Sequence, residues 1–288
     1  MNLSGYSTAL FSSWYFVENY GVLFDAGDGV TACLLQKSMK AKYIFITHPD
    51  RDHLTGLLQL LQLNSRDGFP KVYYPKDCGS FPSLAQFLQL FDPHTSGSEW
   101  IGLEHGQEVM IDKDLIVRPI TNKHIIKAPE KTKSLSYQLI RTKRKIKPEY
   151  AQLHHKEIAQ LKQTIGEAEL TQEVREILLS YSGDTPVEFD GRWNGSKVLI
   201  HEATFLEKSE LENANPHANK HSCLEEVMQM VGESDVQTLI LGHFSSRYHP
   251  TQIDQAIQTF AQKFQVNIPI YRILPSEFVK NILQIVDR

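Results

Sequence analysis

At 288 residues, with 41% apolar and 22% charged side chains, the chain has the composition of a soluble globular protein and room for one large core or two smaller ones. A formal net charge of -4 excludes a globally basic coat, so a polyanionic ligand has to be met by a local patch. Three scattered cysteines, Cys33, Cys78 and Cys223, argue against a disulfide framework, residues 1–15 lack a basic, cleavable leader pattern, and no apolar run reaches bilayer-spanning length, so a cytoplasmic protein without a membrane partner is expected.

Residues 8–17 and 21–25 are β-rich runs separated by Glu18-Asn19-Tyr20, a hairpin pattern ending in Asp25-Ala26-Gly27-Asp28-Gly29. A buried strand is expected over 43–47 and leucines at helical spacing fill 54–63, which puts His48-Pro49-Asp50-Arg51-Asp52-His53 on a strand-to-helix loop. Further strands are expected at 72–74, 115–120 and 134–140, with an amphipathic helix at 83–91. From 148 to about 179 the pattern is polar and helical, broken near Gly166, with a second helix start at Thr171; this marks an embedded, charged insertion at about 141–180. Regular structure resumes with 181–185, a strand at 197–201, a helix at 222–231 and a strand at 238–241 that runs into His243. Strands and helices alternate on both sides of the insertion without a long linker, so residues 1–288 are expected to form a single α/β domain.

His48, Asp50, Asp52 and His53 put two imidazoles and two carboxylates within six residues, where divalent ions can replace lost solvation. A polar helix-start loop is the plainer reading, but four ligand types at that spacing favour metal. Four groups cannot complete two metal shells, so His and Asp at other strand ends are required; His124, Asp184 in Ser182-Gly183-Asp184-Thr185, and His243 stand there. Each alone is weak, since a histidine after a strand is more often structural and Ser-Gly-Asp-Thr is usually a turn. His201, ending a strand, is read as a core residue rather than a ligand.

The order of these elements resembles the metallo-β-lactamase superfamily and, within it, ribonuclease Z. The more specific part is C-terminal: His201-Glu202-Ala203-Thr204-Phe205, then His221-Ser222, then Leu241-Gly242-His243-Phe244-Ser245-Ser246-Arg247-Tyr248. The resemblance implies a four-layer αββα sandwich. It places His48, Asp50 and His124 on one metal, Asp52, His53 and His243 on the other, with Asp184 between them, and Asp25 behind a ligand imidazole to fix its orientation. It implies a metal pair that activates water, with Asp52 orienting it, and His221, held by Glu202, as the acid that protonates the departing 3′ oxygen. Ser245 and Arg247 become candidate substrate contacts, although a packing or salt-bridge role for Arg247 is equally open. Implied too are RNA, precursor tRNA in particular, as substrate and a homodimer as assembly.

The sequence departs from the family in three places. Asp50 stands where the family has histidine; the resemblance implies zinc for the two ions, and the harder oxygen site made by Asp50 leaves manganese, iron or magnesium open. The opening strand with its Gly-Thr-Gly turn is missing, residues 4–8 being at most a remnant. The Gly/Pro-rich tRNA-gripping arm has no counterpart in wording; instead, residues 123–147 carry seven Lys and two Arg against Glu130, a basic stretch that could grip RNA or be a solvated face. The leading expectation is a ribonuclease Z-like phosphodiesterase. The alternatives are a phosphodiesterase for a small cyclic or other non-tRNA substrate, and a metal-stabilised protein without catalysis.

Overall fold

The computed structural model describes residues 1–125, 130–212 and 220–284. Among them the chain runs through β1 (Leu3–Thr8), β2 (Ser12–Val17), β3 (Val22–Phe24), α1 (Val30–Leu34), β4 (Tyr43–Phe45), α2 (Arg51–Leu54), α3 (Leu57–Asn64), β5 (Lys71–Pro75), α4 (Ser80–Phe91), β6 (Glu99–Leu103), β7 (Val109–Asp112), β8 (Leu115–Thr121) and β9 (Leu135–Ile146). It continues through α5 (His155–Ile165), α6 (Glu167–Leu170), β10 (Thr171–Tyr181), β11 (Leu199–Glu202), α7 (Lys208–Glu212), α8 (Leu224–Gly232), β12 (Leu239–Gly242), α9 (Pro250–Lys263), β13 (Ile270–Arg272) and β14 (Phe278–Val279).

Among the described residues the strands form two mixed seven-stranded sheets, ordered β14-β1-β2-β3-β4-β5-β6 and β13-β12-β11-β10-β9-β8-β7. Alternation along the strands sorts side chains into three apolar layers. In β2, Tyr15 and Val17 face the second sheet, where they join Tyr137, Leu139, Ile200 and Ile240. Trp14 and Phe16 face outward onto Val30, Leu57, Leu61 and Phe81 of α1, α3 and α4. Leu199, Leu239 and Leu241 of the second sheet meet Val227, Met228 and Ile253 of α8 and α9. The expected helix–sheet–sheet–helix sandwich is therefore the one observed.

Three local expectations are corrected. β1 is a full strand, paired with β2 at every residue from Leu3↔Val17 to Thr8↔Ser12, rather than a remnant. Apolar periodicity does not reveal it because its buried positions include Ser7, whose hydroxyl accepts the His243 amide at 2.9 Å. The single strand expected over 8–17 is split by a turn at Ala9-Leu10-Phe11, where Leu10 has φ 70°. Thr171 begins a strand and not a helix, because β10 pairs antiparallel with β9 from Thr171↔Ile146 inward. At the outer end both faces of this ribbon are largely solvated, so a charged run rich in helix formers shows no period of two.

Part of the basic stretch is paired with acids. Lys143 pairs with Glu176 at 3.2 Å, Lys147 with Glu169 at 4.0 Å, and Lys123 with Glu188 at 2.6 Å, while Arg141 lies 3.7 Å from Asp114. Four cations of the basic stretch thus face acids on neighbouring segments. Lys127 lies outside the described residues.

Candidate metal centre and active site

The centre lies where strand ends of both sheets meet. β4 delivers Thr47 and His48, and the one-turn α2 then presents Asp52 and His53. His124 follows β8, Asp184 follows β10, and His243 follows β12 in a left-handed conformation with φ 59°. Sequence separations of up to 191 residues thereby close to side-chain contact. His48 Nε2 lies 3.7 Å from Asp50 Oδ2 and 3.7 Å from Asp184 Oδ2, and His124 Nε2 is 3.7 Å from Asp50 Oδ2. His53 Nε2 is 3.5 Å from Asp52 Oδ2 and 3.3 Å from Asp184 Oδ2, and His243 Nε2 lies 3.4 Å from each of the same two oxygens. The groups fall into His48–Asp50–His124 and Asp52–His53–His243, each with ligand atoms within 4.8 Å, and Asp184 Oδ2 lies between them.

The hydrogen-bond network fixes which ring nitrogen faces the centre. Thr47 Oγ1 donates to the Asp25 carboxylate, so it accepts from His48 Nδ1 at 2.9 Å. His53 Nδ1 donates to Asp25 Oδ2 at 2.8 Å, and His124 Nδ1 donates to the Lys220 carbonyl at 2.8 Å. Thr204 Oγ1 donates to Glu202 Oε2 at 2.5 Å, so it accepts from His243 Nδ1 at 2.8 Å. In this assignment every Nδ1 carries the proton, and four Nε2 lone pairs point inward, the tautomer that metal ligation requires. Among the described residues, the Nε2 atoms of His48, His53 and His124 are buried without a hydrogen-bond partner. Burying such atoms unpaired is costly unless something else occupies them, and a divalent cation among these carboxylates fits that role.

Protonation follows the same crowding. Burial presses the His53 pKa down, but the Asp184 and Asp25 carboxylates outweigh it and carry the ring well above its usual range. His48 falls well below, through burial and then through the neighbouring His53 and His124. Asp184 resists the upward push of burial because His243 and His53 hold it well below the ordinary carboxylate range. With no metal, the cluster can only set protons against carboxylates.

Asp25, at the foot of the centre, accepts from Thr47 N at 2.7 Å and from the Tyr181 hydroxyl at 2.6 Å in addition to His53. Beside the centre, His221 Nδ1 donates to Glu202 Oε1 at 3.1 Å, and Glu202 also accepts the Thr185 amide at 2.8 Å. Burial would lower the His221 pKa, but Glu202 and Asp184 push it up to about 9. His221 is also the more exposed member, 21% of its side chain meeting solvent where the His48 and His53 rings have none.

All seven candidate ligands thus converge, with Glu202 and His221 next to them. His201 faces the other way, with Nδ1 on the Glu202 carbonyl at 2.8 Å and its ring edge-on to Trp193 at 6.1 Å, as the core reading expects. Ser245 meets the Thr204 carbonyl through its amide at 3.1 Å. Arg247 pairs with Glu210, hydrogen-bonds the Tyr248 hydroxyl at 2.6 Å and lies 5.3 Å over the Phe205 ring, so part of its donor fork is engaged in packing α7 against this loop. Sequence reading missed Thr204, which joins Glu202, His221 and His243 through one hydroxyl. The available signal was its position two residues after Glu202 at a strand end, which puts both on one side.

Gly183 positions Asp184 with φ 58°, and a Cβ there would sit 2.7 Å from Thr47 Cγ2. Gly183→Ala should therefore lose roughly 1–3 kcal/mol of stability through overpacking and backbone strain. Gly195→Ala, at φ 77° with nothing within 4 Å, should lose clearly less. Urea midpoints of the two variants check this; equal losses would mean that the Thr47 contact is immaterial.

Residues 20–147 match the Beta-lactamase superfamily domain model. Human tRNase Z, short form, superposes with a TM-score of 0.62 at 18% identity, covering 98% of this chain and 99% of that one, which speaks to the fold. Fold and centre together define a metal-dependent hydrolase of the metallo-β-lactamase class. Ribonuclease Z of Halalkalibacterium halodurans is 30% identical over 79% of this chain and 78% of its own. The chain belongs to the ribonuclease Z family. It is also 28% identical over 81% of its length to tRNase Z TRZ2, chloroplastic, of Arabidopsis thaliana, of whose length it spans 65%. Among the described residues, no helix is long and apolar enough to cross a membrane.

Proposed function

We propose that this protein hydrolyses a phosphodiester of RNA, at the 3′ end of precursor tRNA, with two divalent ions at the centre. His48, Asp50 and His124 would hold one ion, Asp52, His53 and His243 the other, and Asp184 would serve both. The observation that carries the reading is the set of four inward Nε2 lone pairs facing three carboxylates, with a separate His221–Glu202 pair alongside. Bound there, the ions would supply an activated water and neutralise charge on phosphoryl oxygens.

The chain's own residues do the rest. Asp52 orients the attacking water by accepting its hydrogen bond, and His221, kept protonated by Glu202, gives a proton to the 3′ oxygen as the P–O bond breaks. Metal-loaded protein incubated with precursor tRNA should release a trailer and leave a 3′ hydroxyl, read by gel and end-labelling. A second reading, a small diester as substrate, draws support from the acids that answer the cations of the β9–β10 ribbon. Turnover of a chromogenic diester without tRNA cleavage would favour it.

Zinc is the ion we assign, although Asp50 makes that assignment a test of its own. Changing this carboxylate to a nitrogen donor softens the site. Asp50→His should raise the zinc-to-manganese ratio retained when the apoprotein is dialysed against both ions; an unchanged ratio would mean that Asp50 does not contact metal.

A further inference from the structure

The turn at Ala9-Leu10-Phe11, between β1 and β2, has no part in the chemistry above, yet two of its amides tie it to the centre and to the loop beside it. The Leu10 amide donates to Asp52 Oδ2 at 3.2 Å, the same oxygen that faces His53 and His243. The Ala9 amide donates to the Phe244 carbonyl at 3.2 Å, next to His243, and the Phe11 amide closes the turn on Thr8 at 3.1 Å. Leu10 sits at φ 70°, a left-handed conformation that disfavours a residue with a branched side chain and that glycine or asparagine adopts readily.

Neither turn propensity nor packing explains the residues found there. Leu10 is 87% exposed and Phe11 62%, so neither contributes a buried side chain to the core. A strained turn that carries two large apolar side chains into solvent, with its backbone on a reacting carboxylate, is better accounted for by what arrives at that carboxylate.

We propose that the Leu10–Phe11 tip is a substrate platform on which a nucleobase flanking the scissile phosphate stacks, with Phe11 as the ring and Leu10 as its apolar flank. The inference rests on RNA being the substrate and goes beyond it by naming the residues that take the base. A phosphodiester seated against Asp52 must carry a neighbouring nucleotide past this turn, because the Leu10 amide touches that carboxylate. Unpaired RNA offers splayed bases, and an aromatic side chain accepts any of them because every base has a π face. Discrimination among bases is therefore expected to be slight.

The test pairs a protein change with a substrate change. Kinetics of the metal-loaded wild type, Phe11→Ala and Phe11→Trp would be compared on a precursor RNA and on the same RNA made abasic at each nucleotide flanking the cut. Phe11→Ala should raise KM for the intact RNA by roughly 5- to 150-fold, the loss of one stacked base, while Phe11→Trp stays near wild type. On the RNA abasic at the stacked position, wild type should already show the raised KM and Phe11→Ala should add little. Fully additive effects, or an unchanged KM in Phe11→Ala, would overturn the platform while leaving the RNA reading intact. A wild type that cleaves no RNA would overturn both.

Discussion

An Asp184→Asn protein should retain less metal than wild type and lose phosphodiesterase activity by on the order of 10³-fold or more. Asp184 Oδ2 lies 3.3 Å from His53 Nε2, 3.4 Å from His243 Nε2 and 3.7 Å from His48 Nε2, which puts this carboxylate within reach of both ligand groups. Asparagine keeps the size and removes the charge. Stabilising transition-state charge through two ions is worth several kcal/mol, and each 1.4 kcal/mol is about a factor of ten in rate. Metal content by elemental analysis separates lost binding from lost chemistry. Thermal melts add a second readout: ligand linkage stabilises by about 4 kcal/mol when free metal is a thousandfold above its dissociation constant. Chelator should therefore lower the wild-type midpoint markedly and the Asp184→Asn midpoint little. Full metal content with normal turnover in this variant would remove Asp184 from the centre.

What could be read in the sequence divides along physical lines. The loop from His48 to His53 was legible because its ligands are adjacent in the chain, between a buried strand and a leucine-spaced helix. His124, Asp184 and His243 were legible only as strand-end residues, since their convergence depends on both sheets being in register. The supporting polar groups were largely invisible. Thr204 and Tyr181 act through hydroxyls whose partners lie 39 and 156 residues away. Lys220 acts through a backbone carbonyl that no side-chain pattern announces.

The misread elements share one cause. β1 buries serine against the His243 loop, and the outer part of β10 buries little, so both lack the alternation that marks a strand with one apolar face. Long-range pairing overrode local pattern in each. The acids that face Lys143, Lys147 and Lys123 of the basic stretch lie on β10, α6 and the segment after β10, out of reach of a local charge count.

The second large effect concerns the proton. His221→Ala should lower kcat for RNA by about 10² to 10⁴ while leaving metal content near wild type, because His221 lies at the edge of the cluster and its Nδ1 is engaged with Glu202. A merely structural role would lower activity on every substrate alike. A general acid behaves differently, since its value depends on how badly the leaving oxygen needs a proton. The ribose 3′ oxygen departs as a strongly basic alkoxide unless it is protonated, whereas a nitrophenolate leaves readily without help. The same variant should therefore lose far less on a nitrophenyl diester than on RNA, and Glu202→Gln, which takes the negative charge from beside the ring, should fall between it and wild type on RNA. Equal losses on both substrates would assign His221 to the architecture of the centre and leave the departing oxygen to be protonated by another group.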